Sequence, residues 1–167
     1  MKMGYFLLHS PLQIITPSHY HNLKNCYFRI MENKFTPFIG IEYIKFGSDR
    51  SDVNISINSD SEVFTRNEIA ENSTDYYKDL GFFVEYDSNN KCEAIEFTKD
   101  SGLLYEGRNL FDLSYSKLRT IYDSISNEME EEDKLGCTYH DLGFAVSKST
   151  EDDNIESVLI FSKNYWR

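Results

Sequence analysis

Asp79-Leu80-Gly81-Phe82-Phe83-Val84-Glu85-Tyr86 and Asp141-Leu142-Gly143-Phe144-Ala145-Val146-Ser147-Lys148 are two versions of one segment. Each opens Asp-Leu-Gly-Phe and then places apolar residues at every second position. That is the period of a strand with one buried face. Each copy predicts a hairpin. The first runs Gly81–Tyr86, turns at Asp87-Ser88-Asn89-Asn90 and returns as Lys91–Phe97. The second runs Gly143–Lys148, turns through Ser149–Asn154 and returns as Ile155–Phe161. Aligning the returning strands matches Ile95 and Phe97 with Leu159 and Phe161, which leaves two extra residues in the second hairpin.

Working outward, similar material precedes each hairpin. Before the second lie a strand-like Leu103-Leu104-Tyr105, a turn at Glu106–Asn109, and a helix capped near Asp112 or Ser114. Leu118, Ile121, Tyr122, Ile125 and Met129 form one helical stripe. Before the first lie an expected strand, Ile41–Phe46, then Gly47 and a cap at Ser48 or Asp49. Ser51–Asn58 reads two ways. Its place in the repeat predicts a helix, whereas the alternation of Val53, Ile55 and Ile57 predicts a strand. The repeat favours a short helix. Ser59–Lys78 reads as polar loop with one helical turn.

The expected fold class is therefore α+β, with two related helix-plus-hairpin modules forming mainly antiparallel sheet. Residues 39–101 are the first module and 102–167 the second, within a single compact unit. Residues 1–38 hold all three prolines and are read as a segment packed on, or extending, the sheet, with Cys26–Ile30 as a strand.

Composition narrows the function classes. The chain has 167 residues, 40% of them hydrophobic and 15% aromatic, enough for a folded core. Its formal net charge of −11 opposes binding to nucleic acid or to an anionic membrane and favours a basic protein partner. Cys26, Cys92 and Cys137 are an odd number without metal-finger spacing, which suits a reducing cytoplasm. No apolar run reaches the roughly 20 residues that a membrane helix needs. Tyr5–Leu8 is too short for a signal-peptide core.

Phe46-Gly47, a helix start, then Val84-Glu85-Tyr86-Asp87 and Lys91-Cys92-Glu93-Ala94-Ile95-Glu96-Phe97 resemble a pattern of small bacterial immunity proteins. These belong to polymorphic-toxin systems, including contact-dependent growth inhibition. The tandem layout is also similar to the modules of β-lactamase inhibitor proteins. The resemblance covers roughly residues 39–166. It implies a cytoplasmic, non-enzymatic antitoxin without a cofactor, a monomer or weak homodimer by itself. Such a protein masks the active or substrate-binding surface of a cognate toxin, here expected to be a basic nuclease.

The contact residues expected on these grounds are two acidic runs and their neighbours. Glu128, Glu130, Glu131, Glu132 and Asp133 are placed at the end of the second helix and the loop after it. Glu151, Asp152 and Asp153 sit at a hairpin tip, and Tyr139 and His140 lie beside the second hairpin. Lysine replacements at Glu130, Glu131 and Asp133 are the natural first series. Other constellations are weaker. Glu85, Asp87, Glu93 and Glu96 could supply paired carboxylates, but they do not fall on one face. His9, His19, His21 and Cys26 are metal-ligand types without a ligand pair at conventional spacing. His140 and Cys137 lack a nucleophile motif. Tyr165 and Trp166 are of the residue types that anchor interfaces. The alternative function is a small ligand-binding domain or enzyme of unknown reaction.

Overall fold

A computed structural model describes residues 32–65, 72–133 and 135–166. The expected strand at Cys26–Ile30 and the His9, His19, His21 and Cys26 set lie outside these residues.

Among the described residues the first helix is α1 (Arg50–Ile57). A four-strand meander follows it: β1 (Glu62–Phe64), β2 (Thr74–Tyr77), β3 (Phe82–Tyr86) and β4 (Cys92–Thr98). A short ribbon, β5 (Leu104–Tyr105) and β6 (Arg108–Asn109), leads to α2 (Tyr115–Tyr122). A second meander then runs β7 (Met129–Glu132), β8 (Gly136–Tyr139), β9 (Phe144–Lys148) and β10 (Ile155–Phe161). The eight long strands make one antiparallel sheet in the order β1-β2-β3-β4-β10-β9-β8-β7.

That order is symmetric about the β4–β10 pair, so the repeat seen in sequence is a pseudo-two-fold in space. Ile95 faces Ile160 and Phe97 faces Val158 on either side of Glu96 and Leu159. In the first half Phe82 pairs with Phe97, and in the second Phe144 pairs with Ile160. Ile95 and Phe97 therefore correspond to Val158 and Ile160, not to Leu159 and Phe161. The ladder slips between Ile155 and Ser157, and this irregularity takes up one residue. The repeated glycines act alike. Gly81 (φ 71°) and Gly143 (φ 75°) adopt a left-handed conformation. Their amides donate to the carbonyls of Tyr77 and Tyr139, both at 2.9 Å.

Paired positions carry one face of the sheet across its width: Tyr77, Phe82, Phe97, Val158, Val146 and Cys137, all buried. Each fully buried large apolar side chain contributes about 1.5–3 kcal/mol. The helices cover this face. Val53 and Ile57 of α1 and Leu118 and Tyr122 of α2 are buried, while Ile55 is 76% exposed. Ser51–Asn58 is thus helical, with Ile55 as the exposed residue that imitated a strand. Asn58 closes α1 in the left-handed region. Ser114 caps α2 by accepting from the Lys117 amide.

Phe144 centres an aromatic cluster with Phe35, Tyr105, Tyr122 and Tyr139. Asn33 and Phe35 bond to both sides of Leu104, so this stretch joins β5 rather than the large sheet.

Four expectations change. Ile41–Phe46 is a tight turn, not a strand, because the Ile41 amide bonds Ile44 and Gly40 packs its Cα on the Ile44 carbonyl. The region read as loop, Ser59–Lys78, contributes β1 and β2. α2 stops at Tyr122, because the Ser126 hydroxyl and Asn127 amide turn back to the Asp141 carboxylate. As a result Ile125 is 47% exposed, and Met129 begins a strand instead of ending a helical stripe.

Candidate functional site

Glu130, Glu131 and Glu132 of the acidic run lie on β7, one outer edge of the large sheet, with Glu128 and Asp133 flanking it, and the run does not extend the helix. Among the described residues β7 pairs on one side only, with β8. Glu130 and Glu132 share a face with Thr138, and Glu132 accepts from the Thr138 hydroxyl at 3.1 Å. Glu131 projects to the helix side, where it meets Arg119 at 3.3 Å. Glu130 lies 3.0 Å from His140 Nε2. His140 in turn sits edge-on to Trp166, which is 54% exposed and also contacts Phe161 and Tyr165.

The β7–β8 turn and the β9–β10 tip occupy the same end of the sheet. The Lys148 amide donates to the Leu135 carbonyl at 2.8 Å, which sets Glu132 and Asp133 beside the loop that carries Glu151, Asp152 and Asp153. Glu132 and Asp133 therefore lie at the same end of the sheet as the second acidic run. The members of that run are not equivalent. The Asp153 carboxylate binds the amide and hydroxyl of Ser116 at the start of α2. Asp152 is tied to Asn154 within the loop. Glu151 is exposed, and so is Leu135, at 60%. Sequence alone gave no reason to single out Leu135, because its exposure depends on where the turn falls.

Tyr139 is corrected from contact residue to core. It is fully buried, and its hydroxyl donates to Asp123 at 2.6 Å. Asp123 also holds Arg119 Nε at 2.9 Å through both oxygens. Partial burial opposes ionisation of Asp123, but the bonds from Arg119 and Tyr139 outweigh it and hold the carboxyl below the usual aspartate range. Asp141 is lowered too. Slight burial opposes this, and the Asn127 amide and Ser126 hydroxyl prevail. A depressed carboxyl stabilises the fold above its unfolded pKa, and the effect is lost as pH falls through the folded value. Urea titrations from pH ~5 to ~2 should show stability falling with acid. Asp123→Asn and Asp141→Asn should each flatten that slope, and an unchanged slope in both would refute the assignment.

Arg119 thus binds three groups, Tyr115, Asp123 and Glu131, and ties α2 to β7. A charge-reversal series at Glu130, Glu132 and Asp133 leaves the Arg119–Glu131 tie between α2 and β7 intact.

The other constellations are also located. Cys137 faces the helices, and burial raises its thiol pKa, whereas His140 lies half-exposed beside Glu130. The two are not assembled. Glu85 accepts from the Tyr165 hydroxyl at 2.8 Å. Burial first, then the charges of Asp87 and Glu85, raises the pKa of Glu93. Among the described residues no group of three or more His, Cys, Asp or Glu is placed to hold a metal ion, and no helix is long and apolar enough to cross a membrane.

Comparison with family models, curated proteins and solved structures returned no match.

Proposed function

We propose that this chain is an immunity protein that neutralises a basic toxin, most simply a nuclease domain, by covering its active or substrate-binding surface. One observation carries the reading: an open, acidic sheet edge runs into a second acidic loop at the same end of the sheet. A nuclease gathers Lys and Arg where it holds phosphates. A surface with Glu130, Glu132, Asp133 and Glu151 competes for the same side chains. Charge complementarity of this kind mainly speeds and orients association. Exposed Trp166 and Leu135 at the two ends of the edge supply the apolar contact that persistence requires. A stable complex of this type buries roughly 800 Å² on each partner. The protein then acts by occlusion, and no bond is made or broken. The free thiols of Cys92 and Cys137, both buried, suit work in a reducing cytoplasm.

The test is co-expression with the C-terminal region encoded by the neighbouring upstream gene. The expected result is a complex that survives purification and rescue of the cells from that product. The variant carrying Lys at positions 130, 132 and 133 should lose rescue while keeping its fold. Neither complex nor rescue would reject the reading.

A further inference from the structure

We infer that β7 receives an extended, basic segment of the partner as a ninth strand of the sheet; this rests on the proposed function and specifies how the partner is held. In an antiparallel pair, alternate residues turn both backbone groups toward the neighbour, and those between turn them away. The His140 amide donates to the Glu128 carbonyl at 3.0 Å, and Glu130 and Glu132 follow Glu128 at the same parity. The N–H and C=O groups of Met129 and Glu131 therefore point to the open side. The parity is confirmed from β8, since the Leu135 carbonyl accepts from Lys148 on the opposite flank. An edge left unpaired by the described residues, as this one is, is a template for strand addition unless side chains restrict it.

The side chains select the occupant. Glu130 and Glu132 flank the outward groups of Glu131 on one face, with side-chain exposure of 71% at Glu130. A second copy of β7 would bring like charges opposite each other, which is unfavourable. A strand with Lys or Arg at alternate positions would place them beside Glu130 and Glu132. On the other face Arg119 already meets Glu131, so basic residues are not required there. The inferred recognition pattern is basic-x-basic in an extended conformation.

The experiment uses the full chain and two synthetic peptides of alternating Lys and Val, identical except that one carries N-methyl groups at alternate backbone nitrogens. Methylation keeps the charge and removes the donors that strand pairing needs. Binding is followed by amide NMR at low ionic strength. The unmethylated peptide should bind and should slow hydrogen exchange at Met129 and Glu131. The methylated peptide should bind at least tenfold more weakly. Glu131→Pro removes one outward N–H and no ladder bond, so it should also weaken the peptide, whereas Glu131→Gln should not. Equal binding of both peptides would overturn strand addition and leave charge-based docking standing. No binding of either peptide would overturn it as well, and toxin rescue would then judge the functional reading independently.

Discussion

Arg50→Ala is expected to destabilise the protein by about 3–5 kcal/mol, because it strands a buried carboxylate. Asp75 on β2 is fully buried. Its oxygens accept from Arg50 through two nitrogens, and from the Tyr86 hydroxyl at 2.9 Å. Arg50 also bonds Ser73 at 2.6 Å, and its guanidinium lies 4.8 Å from the centre of the Tyr86 ring. Its hydrogen bond to Asp75 raises the Arg50 pKa, so the guanidinium keeps its charge. Without the guanidinium, the buried Asp75 retains Tyr86 but loses its counter-ion. Urea denaturation at neutral pH should report the loss. The Arg50→Met/Asp75→Asn double variant should recover at least half of it, since a neutral side chain there can still accept from Tyr86. A loss below about 1 kcal/mol in Arg50→Ala would mean that the pair behaves as a surface ion pair.

The second large effect is expected at Gly136, the first residue of β8. A Cβ there would lie 1.9 Å from the Val146 carbonyl oxygen and 2.9 Å from its carbon, both backbone atoms of the neighbouring strand. Neither atom can rotate away, so β8 must separate from β9. Gly136→Ala should cost about 3 kcal/mol, the upper end for overpacking. The damage should be local: amide protection falls in β7 and β8 and persists in β3 and β4. On the proposed function, toxin neutralisation should fall with it, because the acidic edge is carried by β8. Gly107→Ala is the control. Nothing lies within 4 Å of the Cβ that it adds, and only its φ of +75° resists, at roughly 1–2 kcal/mol.

These two sites show what the sequence made legible. The repeated Asp-Leu-Gly-Phe segments revealed the pseudo-two-fold because its signals are local: alternation, a left-handed glycine and turn residues. The helix Arg50–Ile57 was recoverable from the repeat although its own pattern pointed to a strand. β2 was hidden because it buries a charge. Thr74-Asp75-Tyr76-Tyr77 looks polar until Arg50 and Tyr86, from other elements, neutralise Asp75. β7 was hidden for the opposite reason. Met129-Glu130-Glu131-Glu132 continues the helical stripe in sequence, and it is the cross-strand partners in β8 that make it extended. The acidic residues were therefore read as a helix end and loop, whereas Glu130, Glu131 and Glu132 lie on a strand. Tyr139 was misplaced because its partner, Asp123, lies in another element.

On the proposed function, this acidic edge blocks a basic nuclease. The most direct measurement titrates the purified protein into the C-terminal region encoded by the neighbouring upstream gene while nuclease activity is followed. Activity should fall linearly and end at one equivalent. The variant with Lys at positions 130, 132 and 133 should inhibit at least tenfold more weakly, and added salt should slow inhibition by the native protein. Full nuclease activity at several equivalents, or equal inhibition by the charge-reversed variant, would contradict this reading.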